Sequence, residues 1–235
     1  NSVTNPVYYP SQDDLDNGVV TLTISANSQS PCSAWVSDDV DVTLLPSAVA
    51  DAGSDAEICE GDIYTINDAT ADNYSSVSWT SNGSGGFVSG NTLTPTYQPS
   101  QGDYSNGFVE LTLTAQGIAP CEDTTSSMIL TFVDEPLASA GPDLNTCEEP
   151  VAITQSTASN YSAVSWTTSG TGSFVNPDIL NPVYNPSDAD ADAGFVVLTI
   201  TADGQNPCTS TSVDDMILNI TPEPEANAGT DETIC

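Results

Sequence analysis

The chain has 235 residues, of which 33 are Asp or Glu and none is Lys, Arg or His. Without basic side chains it cannot neutralise phosphate groups, which excludes nucleic acids and anionic membrane surfaces as partners. Hydrophobic residues make up 38% of the chain and lie in alternating runs, so we expect folded domains rather than disorder.

No run approaches the roughly 20 apolar residues that a membrane span requires, so membrane insertion is not expected. The sequence instead repeats itself about every 88 residues. Two sets of cysteines recur at this interval: Cys59, Cys147 and Cys235, and also Cys32, Cys121 and Cys208. Because this length suits one small β domain, we predict an array. Its parts would be the end of one domain in 1–48, complete domains in 49–136 and 137–224, and the start of another in 225–235.

Repeat 137–224 shows the predicted elements in chain order. Ala138–Asp143 is small and contains a proline, which is typical of a linker or a first edge strand. The alternating runs that follow predict strands at Val151–Thr154, Val164–Thr167, Phe174–Val175, Phe195–Thr201 and Met216–Ile220. Trp166 is expected to face inward. About seven short strands separated by turns, without helical periodicity, predict an Ig-like β-sandwich.

One segment, Pro186–Gly194, departs from the β pattern. Ser187 is a candidate helix N-cap, Asp190 follows three residues later, and a glycine ends the segment. The same frame recurs at Ser11 with Asp14 and at Ser100 with Asp103. It resembles a capping box closed by a glycine, so we predict one helical turn before the longest strand.

Four features together resemble PKD-like and Ig-like surface repeats. They are the string Ala-x-Ala-Gly-x-Asp-x-x-x-Cys, the Trp-bearing strand, the segment Pro-Ser-x-x-Asp-x-x-x-Gly-x-Val-x-Leu-Thr, and the Pro-Cys pair before the last strand. Such repeats occur in very large secreted proteins of gliding bacteria, including mobile adhesins of their cell surface. The resemblance implies an all-β fold of tandem β-sandwich domains in a head-to-tail array, export to the cell surface, and a role in adhesion or surface motility.

The composition argues against an enzyme, because general acid–base catalysis would fall to carboxylates alone. We therefore predict a structural and adhesive segment of a long extracellular cell-surface fibre. Two alternatives stay open. One is a carbohydrate-binding module of a secreted protein, and the other is a calcium-dependent surface-layer component. The expected partners are neighbouring repeats of the same chain, surface glycans or other copies of the chain.

Tryptophans are the first candidates for carbohydrate platforms. Trp79 and Trp166 each alternate with Ser in a central strand, which favours packing in the core over glycan binding. Trp35 lies outside that position, shortly after Cys32, and is expected to be exposed.

Calcium is the candidate cofactor, because it takes about six to eight oxygen ligands and Asp-rich turns present several. The acids that recur at the predicted domain junctions are Asp55, Asp143 and Asp231. Two further candidate clusters are Asp13, Asp14 and Asp16, and Asp188, Asp190 and Asp192. The alternative interpretation is that Asp14 and Asp190 only cap helical turns and that the remaining acids are solvated.

Six cysteines at repeated positions, without histidines, predict disulfides and an oxidising compartment. Counting favours pairs within repeats, Cys59 with Cys121 and Cys147 with Cys208. In an Ig-like sandwich, however, the latter two would lie at opposite poles, roughly 25 Å apart, whereas a disulfide needs Cα atoms about 4.4–6.8 Å apart.

In a head-to-tail array, the last hairpin of one domain meets the lower pole of the domain before it. This favours a disulfide from Cys59 to Cys208. Cys121 would then pair with an upstream cysteine and Cys147 with a downstream one. The scheme with pairs inside repeats stays open as the alternative.

Overall fold

The computed structural model describes residues 5–224 and 226–235. The helices in this part of the chain are α1 (Gln12–Asn17), α2 (Gln101–Asn106) and α3 (Asp188–Ala193). The strands are β1 (Val19–Asn27), β2 (Trp35–Thr43), β3 (Val49–Asp51), β4 (Ala56–Cys59), β5 (Tyr64–Thr65), β6 (Thr70–Asp72), β7 (Tyr74–Ser81), β8 (Gly86–Val88), β9 (Thr96–Gln98), β10 (Phe108–Gly117), β11 (Thr124–Val133), β12 (Leu137–Ser139), β13 (Leu144–Thr146), β14 (Val151–Ala152), β15 (Thr157–Ser159), β16 (Tyr161–Thr168), β17 (Ser173–Val175), β18 (Val183–Asn185), β19 (Phe195–Gly204) and β20 (Thr211–Ile220).

Contacts divide the chain into two compact units. The first contains the described residues up to Ala56 together with Ile63–Leu130. The second contains Glu57–Asp62 together with the described residues from Thr131 onward. The domain limits and the head-to-tail array inferred from the repeat period remain predictions.

The two complete repeats have the same sheet topology. In repeat 137–224 one sheet has the order β13-β20-β19-β16, a second has the order β14-β18-β17, and β12 pairs with β15. Repeat 49–136 has the corresponding orders β4-β11-β10-β7, β5-β9-β8 and β3-β6. In the four-stranded sheet of repeat 137–224, β13 runs parallel to β20, whereas β19 is antiparallel to both of its neighbours. The predicted all-β, Ig-like fold class is confirmed.

Alternation along the long strands builds the core. Every second side chain of β19 is buried, including Val196 and Leu198. Trp166 of β16 is 3% exposed, which confirms that it faces inward. The centroid of its ring lies 5.9 Å from that of Phe174, and the ring centroids of Phe174 and Tyr184 are 4.9 Å apart. β-Branched and aromatic side chains favour this pleated, half-buried surface.

The predicted helical turns are confirmed, and each is six residues long. In α3 the Ser187 hydroxyl accepts a hydrogen bond from the Asp190 amide, and the Asp190 carboxylate accepts one from the Ser187 amide. Gly194 ends the helix in the left-handed conformation at φ 79°, which a glycine adopts without strain. A capping box of the same kind lies at the start of α1 and of α2.

Several short strands were not predicted. The three-residue β13, which pairs in parallel with β20, lies between the segment Ala138–Asp143 and the strand predicted at Val151, where no element was predicted, and β15 and β18 were not predicted either. The segment taken as a linker or edge strand contributes β12. Runs of two or three residues are too short for an alternating pattern to be visible in the sequence.

Candidate functional site

Cys59 and Cys208 form a disulfide, with their Cα atoms 4.8 Å apart and a sequence separation of 149. They belong to successive sequence repeats, and both lie in the second compact unit. This is the pairing that the array geometry favoured. The alternative with pairs inside repeats is not formed, because Cys121 and Cys147 are free thiols.

A tight turn positions Cys59 at the end of β4. The Glu60 amide donates to the carbonyl oxygen of Val133 at 2.8 Å, and the Asp62 amide donates to that of Cys59 at 3.1 Å. Gly61 lies within this turn at φ 92°, a conformation that favours glycine. The turn therefore holds the Cys59 side chain beside the end of β11.

Cys208 reaches the same place from the turn between β19 and β20. Its amide donates to the carbonyl oxygen of Gln205 at 2.8 Å. Its Sγ lies 3.3 Å from the carbonyl oxygen of Val133 and 3.6 Å from that of Asp134. Only 3% of Cys208 is exposed. Backbone carbonyls on one side and Cys59 on the other thus enclose this sulfur.

Three aspartates have a different role from metal ligation. The carboxylate of Asp190, which is 2% exposed, accepts hydrogen bonds from the amides of Thr171, Gly172 and Ser187 at 2.8, 2.9 and 3.1 Å. The Tyr184 hydroxyl donates to it at 2.7 Å. Asp103 has the same set of donors in repeat 49–136, and Asp14 has a smaller set in the partial repeat.

The Gly-rich loop before β17 closes tightly around this carboxylate. A Cβ atom at Gly170 would lie 2.2 Å from Asp190 Oδ1, and one at Gly172 would lie 2.6 Å from Oδ2. Glycine is therefore required at both positions for the loop amides to approach the carboxylate. Gly83 and Gly85 lie against Asp103 in the same way, so the Gly-Ser-Gly and Gly-Thr-Gly turns of the two repeats share this function.

The hydrogen bonds around Asp190 and Tyr184 determine which of the two side chains is ionised. Burial alone would raise the pKa of Asp190, but the donors from Thr171, Tyr184, Ser187 and Gly172 together hold this pKa below its usual value. Burial, followed by the contact with the carboxylate, raises the pKa of Tyr184 to about 12. The carboxylate is therefore ionised and the phenol is neutral at physiological pH.

The candidate acids at the predicted junctions tether strands. Asp55 Oδ1 accepts from the Ile129 amide at 2.7 Å, and Asp143 Oδ1 accepts from the Ile217 amide at 2.8 Å. Asp231, the third member of this set, is exposed. The side chain therefore anchors a strand in the two complete repeats.

The other calcium candidates do not come together. Asp13, Asp16, Asp188 and Asp192 are exposed on the single-turn helices. Asp14 and Asp190 are engaged by the capping boxes. Within residues 5–224 and 226–235, no three acidic or cysteine side chains form a group that fits a metal ion. An ordered calcium site thus remains a prediction without a geometric counterpart in this part of the chain.

A shallow cleft of about 530 Å³ lies beside the disulfide. Its lining includes Glu60, Asp134 and Glu135, together with Leu137 and Asn160. These acids could not be recognised from the sequence, because Glu60 is more than 70 residues away from Asp134 and Glu135 and only the fold brings the three to one surface. Diffuse attraction of cations is the chemistry that this cleft offers.

The tryptophans behave as predicted. Trp79 is 6% exposed and Trp166 is 3% exposed, so both pack in cores rather than on a binding face. Trp35 is 71% exposed. It is therefore the tryptophan available to a ligand in the described part of the chain. No helix described by the structure is long and apolar enough to cross a membrane.

Comparison with known proteins adds a set of distant structural similarities. No protein-family model matches the chain, and no curated protein matches it. The chain is similar to extracellular cadherin domains 1–4 of protocadherin gamma B7, with 14% identity and a TM-score of 0.46 over 90% of this chain and 60% of that one. It is also similar to domains EC1-4 of Drosophila N-cadherin, with 13% identity and a TM-score of 0.49 over 87% of this chain and 57% of that one. Domains EC22-24 of mouse cadherin-23 show 12% identity and a TM-score of 0.47 over 91% of this chain and 78% of that one. Such low values assign neither a family nor a function.

Proposed function

We propose that this chain is a structural and adhesive segment of a long extracellular cell-surface fibre. The observation that carries the proposal is the Cys59–Cys208 disulfide, which joins two successive sequence repeats. Disulfides persist in oxidising compartments such as the cell exterior. A covalent link between repeats limits how far a pulled chain can lengthen, which is the property that a fibre under load requires.

The sheet topology supports the same role. In repeat 137–224 the early strand β13 runs parallel to the last strand β20. When the disulfide is reduced, tension applied to the two ends of the repeat therefore loads the hydrogen bonds between these strands in shear, all at once. Bonds loaded together resist force better than bonds opened one after another.

The charge supports exposure at the cell surface. A chain with 33 acidic residues and no basic ones repels its copies and stays soluble. The resemblance to repeats of mobile adhesins extends the proposal to surface motility. The test uses the source cell. An antibody raised against this chain should stain intact cells, and cells lacking the segment should lose surface attachment and spreading. Staining that needs permeabilised cells would refute the proposal.

Carbohydrate binding is the second candidate function, and the exposed Trp35 favours it. This side chain lies on β2 and is 71% exposed. An exposed indole offers a flat apolar face to a sugar ring. A glycan array probed with the chain and with Trp35→Ala tests this candidate. Glycan binding that survives the substitution would exclude Trp35 as the platform.

Calcium-dependent assembly into a surface layer is the third candidate. It rests on the acidic cleft formed by Glu60, Asp134 and Glu135 and on the density of uncompensated charge. Addition of calcium should then raise light scattering of the chain, and chelation should reverse it. Magnesium or sodium at the same ionic strength provides the control for simple screening.

A further inference from the structure

In both complete repeats the four-stranded sheet ends in a strand with one free edge. β16 pairs with β19, and β7 pairs with β10. No strand in the described part of the chain pairs with the other edge of either one. Repeat 49–136 has repeat sequence on both sides of it, so the free edge is a property of the repeat itself. An unpaired edge is a template for one more strand.

Backbone hydrogen bonds show which groups of β16 point to this edge. The Trp166 amide donates to the carbonyl oxygen of Pro177, in the loop after β17, at 3.0 Å, and so points away from β19. Backbone groups of an antiparallel strand face its two edges alternately, so the N–H and C=O of Val164 also point away from β19. The edge of β7 is arranged in the same way, because the Trp79 amide donates to the Gly90 carbonyl oxygen at 2.8 Å.

The loop after β17 leaves a cleft beside the rest of the β16 edge. The Trp166 indole donates to the carbonyl oxygen of Leu180 at 3.3 Å, which fixes this loop as the far wall. The edge cleft has a volume of about 570 Å³ and is lined by residues 161–165 of β16, by Asp178, Ile179 and Leu180 of the loop, and by Asp203 of β19. One wall is thus the unpaired edge, so a strand lying in the cleft would meet the backbone groups of Val164.

Side chains around the edge cleft give it a negative charge and an apolar wall. Asp178 and Asp203 are exposed acids, and Ile179 is an aliphatic side chain that is 42% exposed. Asp203 pairs with Ala163 of β16, and the small alanine leaves the carboxylate within reach of a long side chain at the edge. The chain has no basic residue that could neutralise these acids.

Repeat 49–136 has the same free edge with different side chains. The residues that correspond to the two acids and the isoleucine are Asn91, Gln116 and Thr92. Gln116 pairs with Ser76 of β7, which is the place that Asp203 and Ala163 have in the other repeat. The edge is therefore common to both repeats, whereas the acids and the aliphatic wall belong to repeat 137–224.

We propose that the free edge of β16 binds an extended basic segment of another protein, which adds to the sheet as one more strand. Charge selects this occupant. A second copy of the chain has no Lys or Arg and would add negative charge, whereas a basic segment neutralises Asp178 and Asp203. The proposal does not rest on the fibre role, because the edge would bind such a segment wherever the chain is located.

The pattern of the bound segment follows from the alternation of side chains along a strand. Residues of one parity would lie on the core side, against Ile179 and Leu180. Residues of the other parity would lie on the outer side of the sheet, where a Lys or Arg can reach Asp203 across Ala163. The segment that fits the edge cleft therefore alternates apolar and basic residues.

The first experiment measures the binding of synthetic peptides to the full chain with its disulfide formed. The probe is a peptide of about seven alternating Val and Lys residues with blocked ends, the length of an ordinary strand. Isothermal titration calorimetry should find one tight site per chain. A peptide with Glu in place of Lys should not bind.

Two N-methylated peptides of unchanged charge test whether the backbone of the probe pairs with β16. One carries the methyl groups on the Val amides and the other on the Lys amides. Only one of these sets faces β16, so one peptide should bind about tenfold more weakly, through the loss of its edge hydrogen bonds, and the other should retain its affinity.

Substitutions taken from the other repeat then locate the site. Asp178→Asn, Ile179→Thr and Asp203→Gln each introduce a residue that the folded repeat 49–136 already has. Each acid removed should weaken binding of the Val-Lys peptide by about threefold, and the triple variant should lose the site. Asp215→Asn is the matched control, because it removes one exposed charge from β20 of the same sheet and should leave the affinity unchanged.

The reverse exchange should create a second site. Asn91→Asp/Thr92→Ile/Gln116→Asp gives repeat 49–136 the side chains of the edge cleft, and the number of tight sites per chain should rise from one to two. Hydrogen exchange should slow at residues 161–165 when the parent chain binds the Val-Lys peptide.

Three results would overturn the proposal. Equal affinities of the two N-methylated peptides would show that charge alone attracts the probe. Equal losses for Asp203→Gln and Asp215→Asn would show that the peptide binds anywhere on the acidic surface. Protection from exchange that omits residues 161–165 would place the bound peptide away from the edge of β16.

Discussion

The hydroxyl of Tyr184 donates a hydrogen bond to the carboxylate of Asp190, six residues later, at 2.7 Å. The pair recurs as Tyr97 with Asp103 at 2.9 Å. In each case the tyrosine ring lies in the core, and the carboxylate accepts hydrogen bonds from the amides of the Gly-rich loop, which precedes β17 in one repeat and β8 in the other. One buried negative charge thus connects the helical turn, a strand of the three-stranded sheet and the Gly-rich loop.

Replacing Asp190 by Asn should destabilise the repeat that contains it by about 3 kcal/mol. The amide oxygen can take the place of Oδ2 and accept from Gly172 and Ser187, but the amide NH₂ would then face the N–H group of Thr171. Hydrogen exchange of the β19 amides measures the loss. Asp192→Asn, an exposed change of equal charge on the same helix, should have little effect. Equal losses would mean that net charge, not the cap, is responsible.

Acid should destabilise both complete repeats through these caps. The hydrogen bonds hold the pKa values of Asp103 and Asp190 below the usual value. The unfolded chain therefore takes up protons first as pH falls, and the stability that is present above about pH 4 is lost below it. In the double variant Asp103→Asn/Asp190→Asn, the free energy of unfolding, measured from denaturation curves across this range, should depend less steeply on pH. An unchanged pH dependence below pH 4 would contradict the assignment of this stability to the two carboxylates.

Alkali should act through Tyr184, whose pKa is raised to about 12 from 10.0. A raised pKa means that the folded state retains the phenolic proton, so its contribution is complete below pH 10 and is lost as pH rises towards 12. Ultraviolet absorbance of tyrosinate should show a late-titrating class in the folded chain. Tyr184→Phe should reduce that class. Removal of Tyr161, which is exposed at 38%, provides the comparison.

The sequence predicts features that depend on periodicity and fails where only three-dimensional proximity matters. The long strand β19 and the capped turn α3 are visible because alternation and a capping box extend over several residues. The strand β13 is not, because Leu144–Thr146 is too short to show a period and its partner lies more than 70 residues away. Asp143 was recognised as a repeated acid, yet its acceptor role towards the Ile217 amide needs the fold.

Added salt should raise the melting temperature of the chain. The 33 acidic residues have no basic partner, and their repulsion is screened over about 10 Å at 0.1 M ionic strength. Thermal melts in chelator, in sodium chloride and in calcium chloride at matched ionic strength separate two effects. Equal shifts would indicate screening alone, whereas a larger shift with calcium would indicate bound ions. No shift with either salt would contradict the importance of repulsion.

The disulfide should limit how far the chain extends when it is stretched from its two ends. Cys59 and Cys208 are 149 residues apart, and an extended chain spans about 3.4 Å per residue, so the bond withholds about 500 Å of contour length. In single-molecule stretching, Cys59→Ser/Cys208→Ser should release that additional length. Cys32→Ser/Cys147→Ser removes two free thiols and should leave the released length unchanged. If the first variant released no more length than the parent chain, the residues between the two cysteines would not be locked. The proposed load-bearing role of the disulfide would then be lost.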